Sequence, residues 1–136
     1  MTTSESYYGR ETVLVVDDAE AIRKMVCAML LQNGYRCLEA VDGKDALERI
    51  EDESVHLVLT DVLMPRMGGA ELADRLASMR PELRIVFMSG YADDPLVRHV
   101  QRIPALFLPK PFTASALMAK IRQVLDEPWH GLQRTQ

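Results

Sequence analysis

The chain has 136 residues, of which 48% are hydrophobic and 26% charged, and its formal net charge is −4. This length and composition are typical of one globular domain with a core of its own. The negative charge, without a dense lysine and arginine stripe, argues against a nucleic-acid-binding protein. No apolar run approaches the roughly 20 residues needed to cross a bilayer, so we expect no membrane association through a spanning helix.

The two ends of the chain differ from its middle. Residues 1–10 are polar and contain acidic side chains, unlike a secretory signal, and we expect a flexible leader there. The domain is expected to occupy residues 11–126, followed by a polar tail at 127–136 that frays. Cys27 and Cys37 are the only cysteines. Because their spacing is not that of a metal site, we expect two reduced thiols in a cytoplasmic protein.

Short apolar runs alternate with amphipathic stretches from residue 12 onward. Continuous runs such as VLVV and IVFM are typical of strands that are covered on both faces. Apolar residues three and four apart indicate the helices between them. In chain order, the predicted elements are a strand at Thr12–Val16, a helix at 22–30, a strand at Arg36–Ala40, a helix at 46–50, a strand at Leu57–Asp61, a helix at 72–79, a strand at Arg84–Ser89, a helix at 94–102, a strand at Ala105–Lys110 and a helix at 117–125.

Several helix ends carry their own signals. Gly34 is a typical residue to follow the end of the first helix. Asp94 and Pro95 are suited to the cap and first turn of the fourth helix. Thr113 is a suitable N-cap for the last helix.

Five consecutive strand–helix units predict an α/β fold with a parallel sheet, right-handed crossovers and helices on both faces. Of the common doubly wound sheets, the flavodoxin-like strand order 2-1-3-4-5 fits five strands. This order places the fifth strand at an edge. Pro109 agrees with that position, because proline is tolerated in a strand where no ladder hydrogen bond is needed.

Polar residues stand where four of these strands end. Asp17 and Asp18 follow the first strand, Asp61 ends the third, Ser89 ends the fourth and Lys110 ends the fifth. Ligands of such sheets bind at the carboxyl ends of the strands. Carboxylates crowded together repel one another unless a cation joins them. A hard divalent ion with oxygen ligands suits them, so the sequence predicts a Mg²⁺ site.

The same residues suit phosphoryl transfer. A carboxylate such as Asp61 can act as a nucleophile toward phosphorus and form an aspartyl phosphate. Mg²⁺ and Lys110 would neutralise charge on the transferring phosphoryl oxygens. The hydroxyl of Ser89 can donate a hydrogen bond to one of those oxygens.

Four motifs together resemble the receiver domains of two-component response regulators: VLVVDD, LTDVLMPRMGG, FMSGY and FLPKPF. The resemblance covers roughly residues 12–125. It implies a phosphorelay signalling module rather than an enzyme. Its phospho-acceptor would be Asp61, and its phosphoryl donor a phospho-histidine on a sensor histidine kinase or a histidine phosphotransfer protein.

The resemblance also implies a set of metal ligands. Asp18 and Asp61 would bind Mg²⁺ directly, together with the backbone carbonyl of Leu63, and Asp17 would help through water. Lys110 would contact the phosphoryl group. The peptide bond between Lys110 and Pro111 is expected to be cis, which is a minority form even before proline.

A switch pair follows from the same resemblance, formed by Ser89 and Phe107. Phosphate would draw the hydroxyl inward and the ring would turn in after it. The face made by the fourth helix, fifth strand and fifth helix would then be recognised by a downstream protein or by a second copy of the chain as a homodimer. The resemblance leaves open whether the chain is a single-domain regulator or a domain of a hybrid kinase.

A small Mg²⁺-dependent phosphatase with an aspartate nucleophile, of the haloacid dehalogenase kind, is the alternative. Those enzymes also gather carboxylates and a lysine on a doubly wound sheet. Their nucleophile ends the first strand in a DxD arrangement, whereas Asp17 is followed by Asp18 and Ala19. The alternative is therefore disfavoured.

Overall fold

Strands and helices alternate along the chain in the structure, a computed structural model that describes residues 9–90, 94–101, 106–129 and 131. The elements in chain order are β1 (Thr12–Val16), α1 (Glu20–Gln32), β2 (Arg36–Ala40), α2 (Gly43–Asp52), β3 (Leu57–Asp61), α3 (Gly69–Met79), β4 (Arg84–Ser89), α4 (Pro95–Gln101), β5 (Phe107–Pro109) and α5 (Ala114–Asp126).

The strands form one sheet in the order β2-β1-β3-β4-β5, and every neighbouring pair is parallel. This confirms the predicted doubly wound order and the edge position of β5. The fifth strand is shorter than predicted, because only Phe107–Pro109 pairs with β4. Of the predicted start, Ala105 lies outside the described residues.

Burial explains why the central strands are apolar throughout. All residues of β1 and β3 are buried, since helices cover both faces of the sheet. The edge strand β2 has the sequence RCLEA and is buried only at Ala40. No helix among the described residues combines the length and hydrophobicity that a membrane span requires.

Capping side chains fix several helix ends. Thr113 accepts a hydrogen bond from the backbone N–H of Ala116 at 3.0 Å, as predicted for the start of α5. Asp94 accepts one from the N–H of Leu96 at 2.8 Å, and Pro95 opens α4. Gly34 follows α1 with φ of +91°, a left-handed conformation that glycine adopts without a steric penalty.

The two cysteines form a disulfide, so the expectation of reduced thiols is wrong for this structure. Cys27 lies on α1 and Cys37 on β2, and packing of the helix on the strand brings their Cα atoms to 5.7 Å. This separation lies within the range that a disulfide spans. The bond therefore joins α1 to β2 covalently.

The beginning of the expected tail is held against the domain. Trp129 donates from Nε1 to the carbonyl of Pro81 at 3.0 Å. Arg84 donates to the carbonyl oxygens of Val124 and Glu127, both at 2.9 Å, and so satisfies acceptors at the end of α5. Most of the expected tail, residues 130 and 132–136, lies outside the described residues, so its fraying stays a prediction.

An ion pair fastens α5 to the start of the domain. The two guanidinium nitrogens Nη2 and Nη1 of Arg122 donate to the Glu11 carboxylate at 2.7 and 3.2 Å. Arg122 also binds Asp126 at 2.9 Å. The hydrogen bond from Arg122 lowers the pKa of Glu11 to about 2 and outweighs the opposing effect of burial.

We expect Glu11→Gln to destabilise the protein at pH 7 by about 1 to 2 kcal/mol, after allowance for partial solvent screening. A carboxyl whose pKa is lower in the folded state stabilises that state above its unfolded pKa, near 4.5, and loses the effect as the pH falls toward 2. Urea unfolding of both proteins between pH 7 and pH 3 should therefore show a difference that shrinks below pH 4.5.

The matched control for this prediction is Glu71→Gln on α3. Glu71 pairs with Arg75 at 3.2 Å, but both side chains are more than half exposed. Such a pair contributes about 0.5 kcal/mol or less. Equal destabilisation by the two variants, or a Glu11→Gln effect that does not vary with pH, would refute the assigned role of this ion pair.

Candidate functional site

The carboxyl ends of β1 and β3 bring three aspartates together. The ligand atoms of Asp17, Asp18 and Asp61 all lie within 4.8 Å of one another. Asp17 is fully buried, Asp61 is 6% exposed, and Asp18 is exposed. The three aspartates cluster as their positions at the strand ends predicted, because the adjacent parallel strands β1 and β3 end at the same edge of the sheet.

Lys110 bridges two of these carboxylates. Its Nζ lies 2.9 Å from Oδ2 of Asp17 and 3.3 Å from Oδ2 of Asp61. The Lys110 backbone is held by a hydrogen bond from its N–H to the carbonyl of Ser89 at 3.1 Å. The expected cis peptide bond between Lys110 and Pro111 is present. The two ion pairs and the hydrogen bond to Ser89 hold the lysine in the acidic cluster from its place at the edge of the sheet.

Contacts with Val62, Lys110 and Thr60 fix the orientation of Asp61. Its Oδ1 accepts a hydrogen bond from the N–H of Val62 at 2.8 Å, while Oδ2 faces Lys110. Its carbonyl oxygen accepts from Oγ1 of Thr60 at 2.9 Å. The N–H of Gly69 then bonds the carbonyl of Val62 at 2.9 Å, so the start of α3 packs closely behind Asp61.

The loop between β3 and α3 is held against the start of α2. The guanidinium of Arg66 is paired with the buried carboxylate of Asp42, which also caps α2. The N–H of Gly43 donates to the carbonyl of Met67 at 2.9 Å. Arg66 has a positive φ of 66°, which is uncommon for a residue other than glycine. The loop that follows Asp61 is thus clamped to the loop that precedes α2.

The electrostatics of the cluster reflect three carboxylates beside one ammonium. Burial raises the pKa of Asp61, and the nearby Asp17 carboxylate adds to this effect, while Lys110 opposes it. Burial alone would lower the pKa of Lys110, but hydrogen bonding and attraction to Asp17 and Asp61 raise it overall. The raised pKa of Lys110 keeps its side chain a cation between Asp17 and Asp61.

The donor atoms fit a magnesium ion. Mg²⁺ prefers octahedral oxygen ligands at about 2.0–2.1 Å, which places those oxygens about 3 to 4 Å apart. The oxygens of the three carboxylates lie within 4.8 Å of one another, which is close to this spacing. All three side chains offer oxygen as the ligand atom. Leu63, whose carbonyl was expected to complete the set, lies half-buried in the loop after Asp61. Its role as a ligand stays a prediction.

The predicted switch residues occupy neighbouring strands. Ser89 is buried at the end of β4, and Phe107 is half-buried at the start of β5. The register pairs Phe87 with Phe107 and Ser89 with Pro109, so the serine and Phe107 lie diagonally on one face of the sheet. Their assignment as a switch stays a prediction.

Reasoning from the sequence missed Gly69 and Arg23, which are among the residues that support the site. Gly69 packs against the Asp61 backbone so closely that a side chain would not fit. The paired glycines after LMPRM were a signal for such a close approach. Arg23 donates to the carbonyl oxygen of Asp17 at 2.9 Å. Nothing in the local pattern marks it, because arginine is also an ordinary helix residue.

The parallel sheet in the order 2-1-3-4-5, with an aspartate cluster and a lysine at its carboxyl edge, defines a receiver-type signalling domain. A family model described as the response regulator receiver domain matches residues 13–122. The chain belongs to this family and is a receiver domain of two-component signalling. The match gives no support to the phosphatase alternative.

The chain is similar to receivers found in proteins of very different length. The sensor kinase CckA of Brucella abortus is 36% identical over 122 residues, which are 88% of this chain but only 13% of the kinase. The response regulator receiver protein CpdR of the same organism is 33% identical over 119 residues, covering 83% of this chain and 95% of that protein.

The fold is also found in solved receivers. The crystal structure of a CheY-like receiver domain protein from Methanospirillum hungatei superposes with a TM-score of 0.77 at 29% identity. The match covers 87% of this chain and 95% of that one. Likeness extends over nearly the whole of both chains, which agrees with the described arrangement of strands and helices.

Proposed function

We propose that this receiver domain, spanning residues 11–126, accepts a phosphoryl group onto Asp61 in the presence of Mg²⁺. The observation that carries the proposal is the cluster of three carboxylates within 4.8 Å, with the ammonium of Lys110 between Asp17 and Asp61. Asp61 is the carboxylate that lies in the middle of the sheet edge and is oriented by both Val62 and Lys110.

The reaction is a transfer between a histidine and an aspartate. A carboxylate oxygen of Asp61 attacks the phosphorus of a phospho-histidine, and an oxygen–phosphorus bond forms as the nitrogen–phosphorus bond breaks. The electron pair of the broken bond stays on the imidazole, which takes up a proton. The donor is a sensor histidine kinase or a histidine phosphotransfer protein, in keeping with the similarity to a sensor kinase.

Each residue of the cluster has a role in this transfer. Asp18 and Asp61, with the carbonyl of Leu63, would hold Mg²⁺ directly, and Asp17 would do so through water. When bound, Mg²⁺ supplies positive charge beside the phosphoryl oxygens. Lys110 would contact phosphoryl oxygens on Asp61, since its Nζ lies 3.3 Å from Oδ2 of Asp61.

The signal then passes to the surface through Ser89 and Phe107. The serine hydroxyl donates a hydrogen bond to a phosphoryl oxygen, and the ring of Phe107 follows into the space that it leaves. A downstream protein, or a second copy of the chain in a homodimer, reads the face formed by α4, β5 and α5. This face has two states, with the ring of Phe107 turned out or turned in. Phosphorylation shifts the equilibrium between them only as far as it stabilises one state more than the other. We place this exchange in the cytoplasm.

Stoichiometry separates this function from phosphatase turnover. The purified chain is incubated with a small phosphodonor and Mg²⁺, and its intact mass is followed. We expect one phosphoryl group per chain and no uptake when a chelator removes the metal. Sustained hydrolysis of a phosphomonoester without a labelled protein would refute the proposal and restore the phosphatase alternative.

A further inference from the structure

Arg23 is a buried cation that the proposed transfer does not use. It lies in the second turn of α1 and is 8% exposed. Its Nη1 donates to the carbonyl oxygen of Asp17, and its Nε donates to Oε1 of Glu39, both at 2.9 Å. One guanidinium therefore connects the end of β1 to β2 from a position on α1.

The partner of this guanidinium is itself held in place. Glu39 lies on β2 and also binds Lys24 at 3.0 Å. Its backbone carbonyl accepts from Nε of Arg49 at 3.0 Å. A planar guanidinium with two fixed acceptors is better defined in orientation than an ammonium would be. The contact with Asp17 is thus anchored from outside the acidic cluster.

Three hydrogen bonds of Asp17 restrain the loop between β1 and α1. The Asp17 N–H donates to the carbonyl of Ala40 at 3.2 Å, and Oδ1 of Asp17 accepts from the N–H of Ala19 at 2.9 Å. Arg23 holds the remaining backbone group, the Asp17 carbonyl. That carbonyl belongs to the peptide bond between Asp17 and Asp18, so its direction sets the peptide plane from which the Asp18 residue extends.

We propose that Arg23 is a positioning residue for the metal site. By fixing the Asp17 carbonyl, it directs the exposed carboxylate of Asp18 toward Asp61, although its guanidinium contacts the backbone of Asp17 and not the Asp17 carboxylate. The inference rests on the proposed Mg²⁺ site and adds a requirement to it.

The direction in which Mg²⁺ affinity changes when Arg23 is replaced distinguishes a positioning role from a purely electrostatic one. Removal of a positive charge near the carboxylates would, by electrostatics alone, strengthen their attraction for Mg²⁺. Loss of a residue that orients the ligands weakens metal binding instead. A purely structural role would change the stability and leave the affinity of the folded protein unaltered.

The test compares Arg23→Gln with Lys24→Gln by calorimetric titration of Mg²⁺ at a temperature where each variant is folded. We expect about tenfold weaker binding for Arg23→Gln, in the range found for residues that orient metal ligands. Lys24→Gln is the matched control, because it removes a neighbouring cation that binds Glu39 but does not contact Asp17. Its affinity should match that of the wild type.

A second readout needs no metal. Amide hydrogen exchange of Ala19 should be faster in metal-free Arg23→Gln than in the wild type, because the loop has lost one restraint. If Arg23→Gln does not fold, Arg23→Lys is titrated instead. This variant keeps the charge but replaces the two donating nitrogens of the guanidinium by one, so weaker Mg²⁺ binding is again expected.

The possible results separate the two proposals. Wild-type binding of Mg²⁺ with equal or tighter binding by the Arg23 variant would overturn the role of Arg23 alone. Absence of Mg²⁺ binding by the wild type would overturn the metal site, and the role of Arg23 with it. Faster exchange at Ala19 together with weakened affinity supports the proposal.

Discussion

Asp61→Asn is expected to abolish phosphoryl uptake from a small phosphodonor. The amide keeps the size of the side chain and can still accept the hydrogen bond from Val62, but it is a poor nucleophile toward phosphorus. It also removes one of the three carboxylates available to Mg²⁺. Intact mass after incubation with the donor and Mg²⁺ should show the unmodified chain alone.

Asp52→Asn is the matched control for this variant. Asp52 is exposed at the end of α2 and has no contact with the cluster. It should take up one phosphoryl group at the wild-type rate. Uptake by Asp61→Asn as complete as that of the control would place the acceptor elsewhere, on another carboxylate or on a histidine.

Gly69→Ala is expected to damage both the fold and the site. A Cβ at this position would overlap the Asp61 carbonyl oxygen and stand 3.1 Å from its carbonyl carbon. Backbone atoms cannot move aside as a flexible side chain can. We expect a loss of about 3 kcal/mol in the free energy of unfolding. The part of the protein that remains folded should take up phosphoryl groups more slowly, because relief of the overlap displaces Asp61.

Gly90→Ala provides the comparison for this steric prediction. Gly90 also lies beside the site, but a Cβ there would meet Cβ of Lys110 at 3.6 Å, an ordinary van der Waals contact. Its effect on urea unfolding should be within about 1 kcal/mol. If the two variants had the same stability and the same uptake rate, the close packing of Gly69 on Asp61 would have no consequence.

Local pattern was enough to predict most of the sheet. Four of the five strands have the predicted bounds, because continuous apolar runs are required where helices cover both faces. The strand order followed from the alternation of strands and helices, and Pro109 correctly marked the edge. Thr113 was recognised as a cap because its contact with Ala116 spans three residues of the sequence.

Features that depend on distant parts of the chain could not be predicted in this way. Arg122 and Glu11 are separated by 111 residues, and Trp129 and Pro81 by 48. The disulfide was missed for a different reason. The spacing of the two cysteines excludes a metal motif but does not show whether α1 will bring them together.

The candidate site shows the same difference between features set by local sequence and features set by distant contacts. That the three aspartates and Lys110 lie together could be predicted from sequence, because the ends of parallel strands converge whatever the details of packing. The contacts that hold these residues in place could not be predicted from the sequence. The pairing of Arg66 with Asp42 and of Arg23 with the Asp17 carbonyl depends on how loops and helices settle against the sheet.

The most direct test of the shared metal and phosphoryl site is a crystal structure of the chain with Mg²⁺ and beryllium fluoride, which mimics a phosphoryl group. We predict one Mg²⁺ bound by both Asp18 and Asp61, with the beryllium bonded to an oxygen of Asp61 and a fluoride in contact with Lys110. A structure with the beryllium on any other residue, or with Asp18 and Asp61 bound to no common ion, would contradict the proposed site.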